Sequence, residues 1–194
     1  TKVGLALLVA AVLAFAVTPL VKRLAQKVGA MDVPTDGRRM HHRPIPRMGG
    51  LAIFTAFLVS TLLFAFPEID REVRGILLGA VIIVILGVLD DIFTLHAGLK
   101  FVVQIAAAVV TVLHGCRIEH FMGLQLATWL SYPVSVIWIV TITNAVNFID
   151  GLDGLAAGVC AISAGAMLVV ALLVADFMSA VMLAAIVGAC VGFI

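Results

Sequence analysis

Two pairs of carboxylates stand where an otherwise apolar sequence has little reason to place them. Asp90 and Asp91 are adjacent and follow the charge-free run "GILLGAVIIVILGVL" directly. Adjacent carboxylates repel each other, so a pair that stays ionised at the edge of an apolar run calls for a cation. A hard divalent ion such as Mg²⁺ takes oxygen ligands, keeps water and is often shared with substrate phosphates. The other reading is an ordinary charge pair marking a membrane interface, and the pair alone leaves both open.

Asp150 and Asp153 lie three residues apart in "NAVNFIDGLDG", with Asn144 and Asn147 further i+3 steps upstream. On a helix this spacing puts the four on one face. Gly151 and Gly154 remove bulk beside the acids and permit close approach of a ligand or another backbone. The alternative is a glycine-rich turn with capping acids between two spans. Polar groups in the end of a membrane span are costly unless they meet a cavity or partners, which favours a site.

A third stretch, "HHRPIPRMGG" (41–50), combines His41, His42, Arg43 and Arg47 with two prolines and the pair Gly49–Gly50. Arginine's planar fork suits phosphate, and the glycine pair brings backbone N–H groups near an anion. A plain positive anchor would explain the charges but not the prolines and glycines. Lys100 reads either as a snorkelling anchor or as a further phosphate contact. Of the other histidines, His96 falls with these groups, whereas His114 and His120 read as structural. No Walker-type phosphate loop, HExxH or nucleophilic serine motif occurs.

The elements that must carry these residues are membrane helices. Of 194 residues, 63% are hydrophobic and 12% charged, against about 25% charged in soluble domains. The net charge of +1 speaks against a nucleic-acid partner. The three cysteines, Cys116, Cys160 and Cys190, lack metal-ligand spacing, and their odd number argues against a disulfide framework. A span needs about 20 mostly apolar residues. Charge-free stretches at 3–21, 48–67, 75–89, 101–116, 121–149, 154–175 and 177–194 predict seven helices, the fifth confined to 132–149. The first is read as a retained helix rather than a signal peptide. "CRIEHFMGLQLATWLS" (116–131) predicts a small extramembrane hairpin or interfacial segment around Gly123. The expected fold is all-α and polytopic, with residues 1–194 as a single transmembrane domain.

Seven of the twelve positive residues fall in 22–47. By the positive-inside rule this segment is cytoplasmic and the N-terminus lies outside. Parity then assigns the ends of the first, third and fifth spans to one side, giving cytoplasmic loops at 22–48, 90–100 and 147–155. All three polar motifs share that face. A metal-bound phosphate or diphosphate at the membrane surface suits them, and membrane lipid could supply one substrate.

In order, spacing and position at span ends, "HHRPIPRMGG", "GVLDDIFTLHAGLK" and "NAVNFIDGLDGLAAG" resemble the polyprenyl-phosphate N-acetylhexosamine-1-phosphate transferases. The "PIPRMGG" form is closer to the branch that uses UDP-N-acetylglucosamine than to the one that uses UDP-MurNAc-pentapeptide. The resemblance implies that a lipid phosphate, undecaprenyl phosphate, attacks the β-phosphorus of a UDP-sugar and releases UMP. It implies Mg²⁺, or Mn²⁺, held at Asp90 and Asp91, which match the family's acidic pair for metal and lipid-phosphate activation. Asp150 and Asp153, with Asn144, Asn147 and Gly151, match its nucleotide and diphosphate motif. Arg43, Arg47, Gly49, Gly50 and Lys100 are candidate substrate contacts. Direct displacement and a route through an aspartyl intermediate both stay open. The product would start a cell-envelope polysaccharide, lipopolysaccharide or teichoic acid among them, at the inner (plasma) membrane.

Members of this family have more spans, a further metal-ligating aspartate and a later histidine-rich loop. The chain therefore reads as the N-terminal part of a longer enzyme, inactive alone. Packing faces on seven helices allow a homodimer. A rival of another class is an anion or metal transporter, but polar groups gathered at one face and the lack of an internal repeat weigh against it.

Overall fold

Long apolar runs can satisfy their backbone in lipid only by forming helices, and seven form among the described residues. The structure, a computed structural model, describes residues 2–32, 45–66, 68–150 and 154–194. The helices are α1 (Lys2–Val28), α2 (Gly49–Ala65), α3 (Arg71–Phe93), α4 (Ala97–Leu113), α5 (Thr128–Ile149), α6 (Leu155–Leu173) and α7 (Phe177–Phe193). Two short antiparallel ladders complete the described residues: β1 (Met31–Asp32) with β2 (Ile45–Pro46), and β3 (His120–Phe121) with β4 (Leu124–Gln125). The protein is an all-α multi-pass membrane protein.

Among the described residues, four helices are long and apolar enough to cross a bilayer: α1, α3, α5 and α6. The other three have 17 residues each, about 25 Å at 1.5 Å per residue, against a hydrocarbon core of about 30 Å. Several bounds differ from those read off charge alone. Helix α1 continues past its apolar run, so Lys22, Arg23 and Lys27 ride on its last two turns rather than in a loop. Helix α3 includes Asp90 and Asp91 instead of ending before them, and α5 starts at Thr128 rather than near 132. Charge marks where a helix leaves lipid, whereas the hydrogen-bonded backbone continues until a residue turns it.

At the end of α1 that residue is Gly29, with φ 78°; Ala30 N–H then reaches back to the Ala25 carbonyl at 2.9 Å. This is the glycine-terminated helix end in which orphan carbonyls find partners. Pairing of Met31 with Pro46 and of Asp32 with Ile45 joins the two sides of the basic segment. Arg38, Arg39, His41, His42 and Arg43 lie outside the described residues.

The chain divides into two compact units. The first comprises Thr1–Phe66, Gly87–Thr94 and Ala157–Ile194; the second comprises Pro67–Leu86 and Leu95–Ala156. In the first, α1 packs against α7 and α2 through a stripe of small residues, Ala6, Ala10 and Ala14, all fully buried. Gly188 and Gly192 complete the contact from α7: an added Cβ would strike the Leu7 and Ala11 carbonyl oxygens. With no hydrophobic drive between helices in lipid, such small-residue approaches supply much of the packing. Ser60 adds a buried hydrogen bond to the Ala6 carbonyl at 2.7 Å.

In the second unit α3 meets α4 in the same way, with Gly75 against His114 and Gly79 against Thr111. Thr111 Oγ1 donates to the Ala107 carbonyl at 3.1 Å within its helix and lies 3.2 Å from the Gly75 carbonyl. The expected hairpin is present. His120 faces Gln125 and Phe121 faces Leu124, across a two-residue turn in which Met122 and Gly123 both have positive φ. Such turns match the right-handed twist of the paired strands.

Candidate functional site

In the first unit the arginine–glycine motif and the acidic pair meet. Met48 precedes α2 in a left-handed conformation, φ 75°, and no side chain of its own caps the helix. Its N–H donates to Asp91 Oδ2 at 2.9 Å. A carboxylate is well suited to a helix start, where unpaired N–H groups and the positive end of the helix dipole converge. The anion bonded at the N-cap of α2, one residue before the glycine pair, is therefore Asp91 itself.

An apolar bed holds this junction. Met48, Val21, Ala25, Ala30 and Ala52 are buried together, and Val88 and Ile92 of α3 pack on them. Val88, Asp91 and Ile92 stand at i, i+3 and i+4 and so share one face of α3. Asp90 is about 100° away around the same helix. Both acids are half-buried. Thr94, also at positive φ (48°), then ends α3, its N–H bonded to the Asp90 carbonyl at 2.8 Å. A β-branched residue rarely adopts that conformation, so residues at positive φ stand on both sides of the junction, Met48 before α2 and Thr94 after α3.

The two glycines have different tasks. A Cβ on Gly49 would come within 2.7 Å of the Phe193 ring, whereas one on Gly50 would meet nothing within 4 Å. Gly49 is explained by packing, and Gly50 leaves open space at the first turn of α2. Arg47 is half-buried, and its N–H donates to the Ala30 carbonyl at 2.9 Å. The remaining arginine of the motif, Arg43, is outside the described residues.

In the second unit, Asn144 of α5 donates through Nδ2 to Gln104 Oε1 of α4 at 2.7 Å and to the Val140 carbonyl at 2.8 Å. Gln104 is buried. It escaped the sequence reading, although a single amide in the charge-free run of α4 is itself a signal, because lipid offers it no partner. Lys100 lies one turn before Gln104, half-buried. His96 begins the same helix, its Nδ1 accepting from the Gly98 N–H at 3.1 Å.

Asn147 and Asp150 are exposed. The helical face expected to run from Asn144 to Asp153 is cut short. Helix α5 ends at Ile149, and Asp150 has already left helical geometry with ψ 50°. Gly154, φ 74°, precedes α6. Gly151 and Asp153 lie outside the described residues. An open hollow lined by Ile76, Ala80, Ile83, Ala107 and Ile139 is apolar and brings none of the candidate residues together.

The chain matches the model for glycosyl transferase family 4 over residues 73–194. It belongs to that family. The matched region of this family 4 chain includes Asp90, Asp91, Lys100, Asn144, Asn147, Asp150 and Asp153. The chain is 41% identical over 176 residues to a probable undecaprenyl-phosphate N-acetylglucosaminyl 1-phosphate transferase of Bacillus subtilis, covering 88% of this chain and 49% of the relative. It is 34% identical over 209 residues to the decaprenyl-phosphate N-acetylglucosaminephosphotransferase of Mycobacterium tuberculosis, covering 96% and 52%. A phospho-N-acetylmuramoyl-pentapeptide-transferase of Desulforudis audaxviator is 30% identical over 230 residues, covering 98% and 66%. The chain thus spans about half the length of the first two relatives. Their names agree with the resemblance carried by the three motifs, including its N-acetylglucosamine branch.

Proposed function

We propose that the protein transfers N-acetylglucosamine 1-phosphate from UDP-N-acetylglucosamine to undecaprenyl phosphate at the cytoplasmic face of the inner membrane. A phosphate oxygen of the lipid forms a bond to the β-phosphorus, the bond from that phosphorus to the bridging oxygen breaks, and the electron pair leaves with UMP. The observation that carries this reading is the hydrogen bond between Met48 N–H and Asp91. It ties a phosphate-suited segment to the acidic pair in a chain whose relatives act, by their names, on polyprenyl phosphates.

Asp91 holds the start of α2 in place, so that Gly50 and Arg47 present open backbone and a guanidinium to an anion. Asp90, turned away from that bond, receives the proton of the lipid phosphate or orients its attacking oxygen. Asn147 and Asp150 take the nucleotide-sugar, and Asn144 is held by Gln104. Hard carboxylate oxygens fit Mg²⁺, or Mn²⁺, and this ion asks for only one or two carboxylates beside substrate phosphates and water. Asp90 and Asp91 would hold the ion, which supplies neutralisation of the diphosphate charge.

The test is an assay of membranes containing the whole protein rather than this chain alone, with undecaprenyl phosphate and a panel of labelled UDP-sugars. Labelled N-acetylglucosamine should pass to lipid with release of UMP, and Asp90→Asn should lower the rate roughly a hundredfold or more. Transfer from UDP-MurNAc-pentapeptide alone would move the protein to the other branch of the family. Flux of a solute without sugar transfer would make it a transporter.

A further inference from the structure

The β3–β4 hairpin is ordered at its root and apolar at its tip. Ile118 N–H donates to Ser135 Oγ at 2.7 Å, and Ser131 Oγ donates to the Ile118 carbonyl at 2.7 Å. Both serines are buried on α5. Leu126 N–H closes the far side on the Glu119 carbonyl at 2.8 Å. What this clamp holds outward is apolar: Phe121 is 44% exposed, Leu124 71%, Met122 88%, and Trp129 in the first turn of α5 is 76% exposed.

Register makes the hairpin two-sided. Directly opposed residues project to the same side of a ladder, and successive residues to opposite sides. Phe121 and Leu124 form an apolar side, and His120 and Gln125 a polar one. Beside it Arg117 lies over the Tyr132 ring, 5.4 Å from its centroid, and pairs with Glu119 at 2.9 Å. Tryptophan, tyrosine and arginine beside the start of a membrane helix are the residues that suit the boundary between acyl chains and headgroups.

We propose that the hairpin and Trp129 form a lipid-docking element. The Phe121–Leu124 side and Met122 lie in the interface about 5–10 Å deep, while His120, Gln125 and the Arg117–Glu119 pair face water. The occupant is lipid rather than a protein for two reasons. Four side chains are far fewer than the roughly 20–30 residues a side of a standard protein interface. Leu113 at the end of the preceding helix α4 is exposed as well, in a multi-pass protein whose helix surfaces meet lipid. The inference rests on the membrane fold and stands apart from the transferase reading.

The experiment measures depth in lipid vesicles. With Trp138→Phe, Trp129 is the sole tryptophan of the chain; a second variant, Met122→Trp with Trp129→Phe and Trp138→Phe, reports the tip. Each should show blue-shifted emission, strongest quenching by lipids brominated near the headgroup, weaker quenching by lipids brominated near the chain end, and loss of acrylamide quenching. Quenching by acrylamide with none from brominated lipids, or by neither, would overturn the proposal, the first meaning water and the second a protein cover. The Trp138→Phe variant leaves the hairpin intact, so a folding defect in the second variant does not decide the outcome.

Discussion

The Met48 backbone N–H donates to Asp91 Oδ2 at 2.9 Å, so a carboxylate 43 residues away in sequence caps the start of α2. Asp91 therefore differs from its neighbour Asp90, which lies around the helix from this contact.

Substitutions at the two acids should separate accordingly. Asp91→Ala removes the acceptor of a half-buried N–H and should destabilise the protein by about 1–3 kcal/mol. Asp91→Asn keeps an amide oxygen for the same bond and should recover much of that loss. Thermal unfolding in detergent checks this; equal loss in both variants would show that the bond to Met48 contributes nothing.

The Asn144–Gln104 bond joins α4 and α5. Interhelical hydrogen bonds in membrane proteins contribute about 0.6 kcal/mol, and up to about 1.7. A double-mutant cycle with Asn144→Ala and Gln104→Ala should give a coupling energy in that range. Strict additivity would contradict the pairing.

Gly192 meets the Ala11 carbonyl, whereas Gly158 of α6 has open space around it. Gly192→Ala should destabilise the packing of α1 on α7 by about 1–3 kcal/mol. Gly158→Ala should be neutral or stabilise by about 0.5–1 kcal/mol, because alanine loses less entropy in a helix. Denaturant titration of the two variants tests the contrast, and equal effects would remove the close-approach explanation.

Burial, with Glu72 and Asp70 nearby, pushes the Cys116 thiol up to about 11. Only the thiolate is alkylated. Raising the folded value leaves the thiol neutral near pH 7.5, so its alkylation should climb about tenfold per pH unit through pH 10. A free thiol levels off past about 8.5. Peptide-resolved mass spectrometry of iodoacetamide labelling follows this residue apart from Cys160 and Cys190. A plateau below pH 9 would be the contrary result, and Glu72→Gln should move the curve toward lower pH.

Composition and patterning sufficed for the class of fold, because a charge-free run in lipid has only a helix to form. They narrowed 116–131 to a hairpin or an interfacial segment, since Gly123 lies within a polar–apolar mixture between two such runs, and the structure shows the hairpin. The family was legible in three motifs, and the comparisons agree with it. Helix ends were not: they depend on local backbone turns such as Gly29 and Thr94, which charge does not report. Likewise, i+3 spacing suggested a continuous face from Asn144 to Asp153, yet α5 stops at Ile149.

What the sequence by itself determined is therefore the inventory: membrane helices, two acidic pairs, an arginine–glycine segment and their order. The tertiary structure decided which groups are already occupied. Asp91 is bonded to Met48, Asn144 to Gln104, and Gly49 is filled against Phe193. These pairings join residues 40 or more positions apart. Periodicity reports only which residues share a face of one helix, whereas the partner across the gap is chosen by how the helices pack.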